Sequence, residues 1–386
     1  MKYRAILLLV IGVWLAGIHG AMAQSPAQQE WLKSAQLGPF APATQDWKAI
    51  EAAARKEGKV VIYSVSSRIV QLQKEFKEKF GIEIVGYDMD SDTQIEKFTR
   101  EHKAGVFQAD ILFNNDAATL QGNLLPQKMI WNFVPETVAP YIDEDEKTPF
   151  LVQRWSSRVF IYNTALNPSG PPVDNIWDFT RKEWKGRVIT PEPISAAMSN
   201  AYQTILRHPE KMAAAYQKEF GQPIKLSSGM KNAAEEWMLR FMKNDPIILE
   251  STDKIFEGVA NVKQQNPPLG TTTFSKLRDV KKGVFEAAPI YTLDPVFGVG
   301  YPTVLVISDR APHPNAAKLL IWYMMTDGFR PWDVIGDYAT HKEVQARQVK
   351  KFNIPPLSKV NIWKADPKHV YDTKFQFTQF YMGLPK

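Results

Sequence analysis

Two α/β lobes joined by two extended crossovers are the architecture that this 386-residue sequence predicts. Short apolar strand runs alternate with helical periodicities, as in βαβ units around a mostly parallel sheet. Two long extended stretches, 151–163 and 285–307, lead from the first set of alternations to a second and back again at about residue 290. The composition agrees. A chain that is 44% hydrophobic and 23% charged is ordinary for a globular protein and excludes disorder, collagen and a multi-span membrane protein. The length suits two domains.

The elements follow in order. Lys2 and Arg4 precede an apolar run, 5–18, and Ala21, Met22 and Ala23 supply the small residues of a signal-peptidase site. The run is shorter than the ~18 residues of a membrane span. The expectation is a cleaved signal peptide, a mature chain starting at Gln24 and a periplasmic location. Residues 24–43 read as a polar leader. Trp47, Ile50, Ala53 and Ala54 have helical spacing, and Gly58 suits the left-handed stop after them. A strand over 59–64, a helix with Ile69, Leu72, Phe76 and Phe80 on one face, and a strand over 82–87 come next. A helix over 95–104, a strand over 109–113 and a helix from Ala117 complete the first set. After the first crossover and a Pro-rich loop, a short strand spans 186–190 and Ser195 opens a helix to about Arg207. A further helix runs 229–244, with Ser228 read as its cap, then more alternation follows. After the second crossover, a helix spans 315–325 beyond the His313–Pro314 turn.

Motifs mostly exclude. With no Cys there are no disulfides, thiolate nucleophiles or Cys-based metal sites. A net charge of +6 favours anionic partners mildly but is too diffuse for nucleic acid. GxxxxGK[ST], GxSxG and HExxH are all missing, and Gly298-Val299-Gly300 lacks the rest of a dinucleotide fingerprint. His102, His208, His313, His341 and His369 never fall at metal spacing and read as surface or turn residues. Asp116 and Asp294 are the carboxylates worth weighing for catalysis, but no base–nucleophile pair stands beside them, so no enzyme and no cofactor is expected.

What remains is a set of small polar residues at the carboxyl ends of strands, where open α/β sheets bind ligands. Ser66 and Ser67 follow the first strand, Asn114, Asn115 and Asp116 the third. Helix N-capping is their alternative role, and the two roles coexist, because free N–H groups at a helix start bind an anion as well as a cap. Ser195, Ala196 and Ala197 repeat the arrangement in the second lobe. Thr271, Thr272, Thr273 and Ser275 offer hydroxyls, with Lys276 and Arg278 read as a solvated face.

Residues 58–67, 109–116 and 155–163, then Trp177-Asp178-Phe179, Trp184-Lys185-Gly186-Arg187, 298–307 and Ala311-Pro312-His313-Pro314-Asn315-Ala316-Ala317, carry a resemblance over roughly residues 50–330. The chain resembles the periplasmic solute-binding proteins of ABC importers, more narrowly the group that includes the ferric-ion and thiamine binders. The resemblance implies a type II periplasmic binding protein fold, two α/β lobes joined by a two-strand hinge that closes on a solute. It implies a signal peptide over 1–23, a first lobe over 45–157, a second over 158–288, a return over 289–335, and C-terminal helices over 336–386 assigned to neither lobe. The expected partners are a small-molecule ligand and an inner-membrane ABC permease, with no nucleic acid and a monomeric chain. The ferric branch holds its metal with paired tyrosines, a His and a Glu. Here the tyrosine pair falls near Thr272 and Thr273, the histidine near Ser67, and Asp116 stands for the glutamate, so no metal ligands are assigned, and a ferric-ion-binding protein or a periplasmic enzyme of the same fold is the alternative. Tyr291, Tyr301 and Asp294 lie near the second crossover as other oxygen sources. The branch's anion loop matches Ser195–Ala197, and an organic anion is the expected ligand: a carboxylate, phosphonate or phosphate ester. Ser66, Ser67 and Asn115 would bond it from the other lobe, with Trp155 or Tyr291 against its body.

Overall fold

The computed structural model describes residues 25–385, and the leader expected over 1–23 lies outside them. Its α-helices are α1 (Pro26–Ala35), α2 (Trp47–Glu57), α3 (Val70–Phe80), α4 (Ser91–Lys103), α5 (Ala117–Thr119), α6 (Ala196–Leu206), α7 (Pro209–Phe220), α8 (Ala233–Lys243), α9 (Thr252–Ala260), α10 (Pro314–Met325), α11 (Lys342–Phe352) and α12 (Pro367–Met382). Its strands are β1 (Lys59–Ser64), β2 (Glu83–Asp88), β3 (Ile111–Asn114), β4 (Ile130–Trp131), β5 (Leu151–Asn163), β6 (Val188–Thr190), β7 (Ile247–Ile248), β8 (Leu269–Thr273), β9 (Ala287–Pro289), β10 (Gly298–Ser308), β11 (Tyr338–Ala339) and β12 (Ile362–Lys364).

All twelve strands join one sheet, ordered β2-β1-β3-β10-β5-β8-β6-β7, with β9 and β11 on β5 and β4 and β12 on β10. β1 is parallel to β2 and β3, while β10 is antiparallel to both β3 and β5. The first half of β5 therefore runs in the direction of β1 and β3. Its second half, from Arg158, pairs antiparallel with β8, and β6 and β7 run with β8. It follows that the carboxyl ends of β1 and β3 point toward the second half of the sheet, and those of β6 and β8 point back. Between them lies the middle of β5, residues 155–158, beside β10. That is the crevice in which α/β sheets seat ligands.

Local chemistry explains most boundaries. Asp46 caps α2 by accepting from the Ala49 N–H at 3.0 Å, and Gly58 ends it at φ 71°. Asp90 caps α4 through Thr93, and Leu72, Phe76 and Phe80 are buried on the stripe that α3 lays on the sheet, with Ile69 buried just ahead of it. One core packs Ile62, Phe113 and Leu305 under α2, α3 and α10, and another packs Phe160, Trp177 and Trp237 under α6–α8. A third core lies on the opposite face and runs along both halves, from Tyr63 and Leu112 to Ile189 and Val259. One continuous apolar face thus ties the halves together behind the crevice.

Four sequence expectations are corrected. The sheet is mixed rather than mostly parallel, because the crossing strand β5 pairs antiparallel with β8, β9, β10 and β11. The leader after residue 24 contains α1, which buries Leu32, Ala35 and Leu37 in the first core while Lys318 donates to the Ala35 carbonyl at 2.6 Å. The helix expected over 229–244 is α8 and starts later. Asn232, not Ser228, caps it by accepting from Ala234 and Glu235 N–H groups, both at 3.0 Å. The second crossover is broken into β9 and β10 rather than extended throughout.

Candidate functional site

Every residue of β5 is buried, including Arg154, Ser156, Ser157 and Arg158. Side chains alternate along a strand, so Arg154, Ser156 and Arg158 share one face and Trp155, Ser157 and Val159 the other. On β10, Thr303 stands opposite Arg154 and Tyr301 opposite Ser156. The middle of the crossover thus carries two guanidiniums, two hydroxyls and a phenol on one surface.

Each arginine is held by several groups. Arg154 Nη1 donates to Gln153 Oε1 at 2.7 Å, and its guanidinium lies 5.1 Å from the Phe113 ring and 5.8 Å from that of Trp332. Arg158 lies 5.6 Å from the Tyr301 ring. The buried Asp337 carboxylate, carried by the loop before β11, joins the group. Its Oδ1 accepts from Ser156 Oγ at 2.6 Å and its Oδ2 from Arg68 Nη1 at 3.0 Å. Arg68 comes from the 3-10 turn Ser67–Ile69 at the end of β1. A buried guanidinium needs such partners, because an isolated charge in a low-dielectric interior is costly. Burial pulls Arg154 below its ordinary arginine value, with Asp337 acting against that pull and Arg68 adding to it. Burial pushes the Tyr301 phenol up, while Arg158 draws it back. Two arginines, Arg68 at 3.0 Å and Arg154 at 3.6 Å, thus face one carboxylate.

Little space is left there. Beside Arg158, Phe160 and Thr271 the void is about 20 Å³, while hollows of about 550 and 470 Å³ lie between α6 and α12 and beside α11. The loop ahead of β11 helps fill the crevice. Its Gly336, at φ 82°, sits where a Cβ would be 2.5 Å from the Phe274 ring, just past β8.

The residues singled out from sequence have these places. Ser66 Oγ accepts from the Trp332 indole N–H at 2.9 Å, and Ser67 is exposed at the start of the 3-10 turn. Asn115 Oδ1 accepts from Ser91 Oγ at 2.5 Å. Asp116 is buried and caps α5 by accepting from the Thr119 N–H at 3.0 Å; burial and then Asp116 push the neighbouring Asp92 up. Trp155 faces away from the arginines, with its indole N–H on Glu146 Oε1 at 2.7 Å and Lys364 Nζ 4.5 Å from its ring. Ser195 precedes α6, which opens with Ala196 and Ala197, but its hydroxyl donates to the Glu192 carbonyl at 2.6 Å instead of capping. Thr272 is fully buried, and Thr273 pairs with Arg158 across β5 and β8. Tyr291 is 47% exposed and stacks on Phe297 at 4.9 Å, and Asp294 lies 3.5 Å from Lys218. Lys276 is not a solvated cation: its ammonium pairs with Asp253 and Asp279.

Sequence reasoning missed Arg68, Arg154, Ser156, Arg158 and Asp337. The pattern Arg154-x-Ser156-x-Arg158 was a signal, since polar groups at period two, two of them charged, share one face of an apolar extended run and must find partners there. Nothing local marks Asp337. Among the described residues Asp174, Asp178 and Glu219 also gather their carboxylates, around Arg181, which donates to Asp178 at 2.7 Å and to Glu219. Among the described residues, no helix is long and apolar enough to cross a membrane.

A scan against protein-family models finds no match to this chain, and neither does a search of curated proteins. Solved structures do match. Iron-bound HitA from Pseudomonas aeruginosa superposes with a TM-score of 0.64 at 16% identity, covering 85% of this chain and 99% of that one. A ferric binding protein from Campylobacter jejuni gives 0.62 at 14% identity, with 84% and 99% covered. The substrate binding protein of an ABC transporter from Agrobacterium tumefaciens gives 0.58 at 14%, with 84% and 94% covered. Identities this low speak to architecture alone. The chain has the fold of the type II periplasmic binding proteins.

Proposed function

We propose that this chain is the periplasmic solute-binding component of an ABC importer and that its solute is a small organic anion held in the crevice between two lobes. The observation that carries the reading is the buried face of Arg154, Ser156 and Arg158 at the point where strand ends of both halves meet. Guanidiniums there attract an anion strongly because the surroundings are dry. Structural neighbours described as ferric-binding and ABC-transporter proteins support the transport half of the reading. In operation, an anion entering the open crevice would touch both lobes only when they close, so binding favours closure. The closed form would then dock, as a monomer, on a membrane permease. No chemistry is required of the protein.

A bare ferric ion fits less well. It needs several anionic oxygens, yet Tyr301 lies against Arg158, Tyr291 stacks on Phe297, and Thr272 and Thr273 carry no phenol. Clustered guanidiniums repel a trivalent cation. The deciding experiment is a thermal-shift screen of carboxylates, phosphonates, phosphate esters and ferric salts with and without citrate. An organic anion at about a hundred times its Kd raises stability by ~2.7 kcal/mol, and Arg158→Gln abolishes that rise. A coloured complex with ferric ion alone, or turnover of any compound, overturns the reading.

A further inference from the structure

We propose that Arg68, Arg154 and Ser156 form a carboxylate-binding subsite in which Asp337 is the protein's own carboxylate, displaced by a carboxylate of the incoming solute. The displacement rests on the solute-binding reading above, whereas the subsite is a property of the side chains alone. Asp337 shows how the subsite reads its guest. Its two oxygens take different donors, Ser156 Oγ at 2.6 Å and Arg68 Nη1 at 3.0 Å. Two donors from separate elements, one to each oxygen, suit a planar two-oxygen group.

The tethered carboxylate fills the place incompletely. Arg154 Nε is buried and faces Asp337 Oδ2 at 3.6 Å, too far for a hydrogen bond, and among the described residues it has no other acceptor. Thr303, opposite Arg154 on β10, also buries a hydroxyl with no partner. Asp337 cannot move closer readily, because its backbone carbonyl accepts from Gln348 Nε2 at 2.7 Å and its loop is anchored by β11. A free carboxylate carries no such tether. It can approach Arg154 to the ~2.7–2.9 Å of a charge-assisted bond and so recover what Asp337 leaves unmade.

The test uses acetate as the probe on the full-length protein. Asp337→Gly empties the subsite and lowers the melting temperature. Acetate restores it saturably, chloride and inorganic phosphate do not, and the double variant Arg154→Gln/Asp337→Gly is not rescued. Should Asp337→Gly fail to fold, Asp337→Asn keeps the shape and removes the charge. It is expected to bind acetate about tenfold or more tightly than wild type, read by quenching of Trp332 beside Arg154. Equal stabilisation by acetate and chloride, rescue that survives loss of Arg154, or stronger rescue by phosphate overturns the proposal. If no solute is found in the wider screen but acetate rescue holds, the subsite stands and the transport reading fails.

Discussion

Lys318 shows what a single buried side chain contributes. It sits on α10 at 2% exposure, donating to the Ala35 carbonyl at 2.6 Å with the Phe133 ring 5.4 Å away. Burial pulls its ammonium down to about 8, although Glu57 opposes this. Below that pH, folded and unfolded chains both hold the proton, and the folded state bears the whole cost of burying the charge. Between about 8 and the ordinary value of 10.5, the unfolded chain holds more protons than the folded one. Stability contributed by this group therefore rises with pH across that window. Urea unfolding of wild type and Lys318→Met is expected to show the rise only in wild type, so a wild-type-minus-variant difference that stays flat would remove Lys318 as its source. Residue type in this case was legible and role was not. A lysine among Ala316, Ala317, Leu319 and Leu320 announces a buried face, but its acceptor lies on a helix nearly three hundred residues away.

Among elements, α12 has the most distinctive position. It packs on α6, where Thr373 Oγ1 donates to Gln203 Oε1 at 2.6 Å and Asp366 pairs with Arg207 at 2.9 Å. It also reaches the turn after α5, where Tyr371 lies so close to Gly122 that a Cβ there would be 2.2 Å from its ring. The helix therefore bridges elements that follow β3 and β6, on either side of the crevice. Gly122→Ala is expected to cost ~1–3 kcal/mol by overpacking, and adding Tyr371→Ala should recover much of it. A double-mutant cycle in urea checks this, and strict additivity would break the contact as described. Gly336→Ala tests the second filler of the crevice, the loop ahead of β11. A left-handed backbone and the Phe274 ring both oppose a methyl group, so a loss of about 1–3 kcal/mol is expected in the same assay. Neither approach was legible beforehand, because the sequence shows a glycine and an aromatic residue without saying that they meet.

For the molecule as a whole, two strands carry the chain across the crevice, and the third core runs behind it on both halves. The hinge closure proposed above would bend the chain about residues 155–158 and has to shear that shared core as well. Small-angle scattering is expected to give a smaller radius of gyration once a stabilising anion is added. An unchanged radius at saturation would count against hinge closure. The N-terminal helix α1 belongs to this scale too. Gln28 Nε2 donates to Asp309 Oδ1 at 2.8 Å, tying the start of the described chain to the end of β10.

Local patterning by itself determined most of the alternating strands and helices of the two halves and the first crossover, because amphipathic period and capping chemistry act over a few residues. It also placed polar residues at the strand ends, since βαβ order dictates which ends face the crevice. Only tertiary structure decided which groups share that surface. Ser156 and Asp337 are 181 positions apart, and they meet because β11 returns to the edge of β5 and delivers a carboxylate to buried arginines. The turning of Trp155 away from that face follows from the alternation of β5, once the arginines take the other side. Its indole is then held by Glu146, nine residues back along the chain, and by Lys364 from a distant segment. Charge partners in a dry interior are chosen by proximity in space, and strand alternation alone cannot say which of two buried faces will receive them.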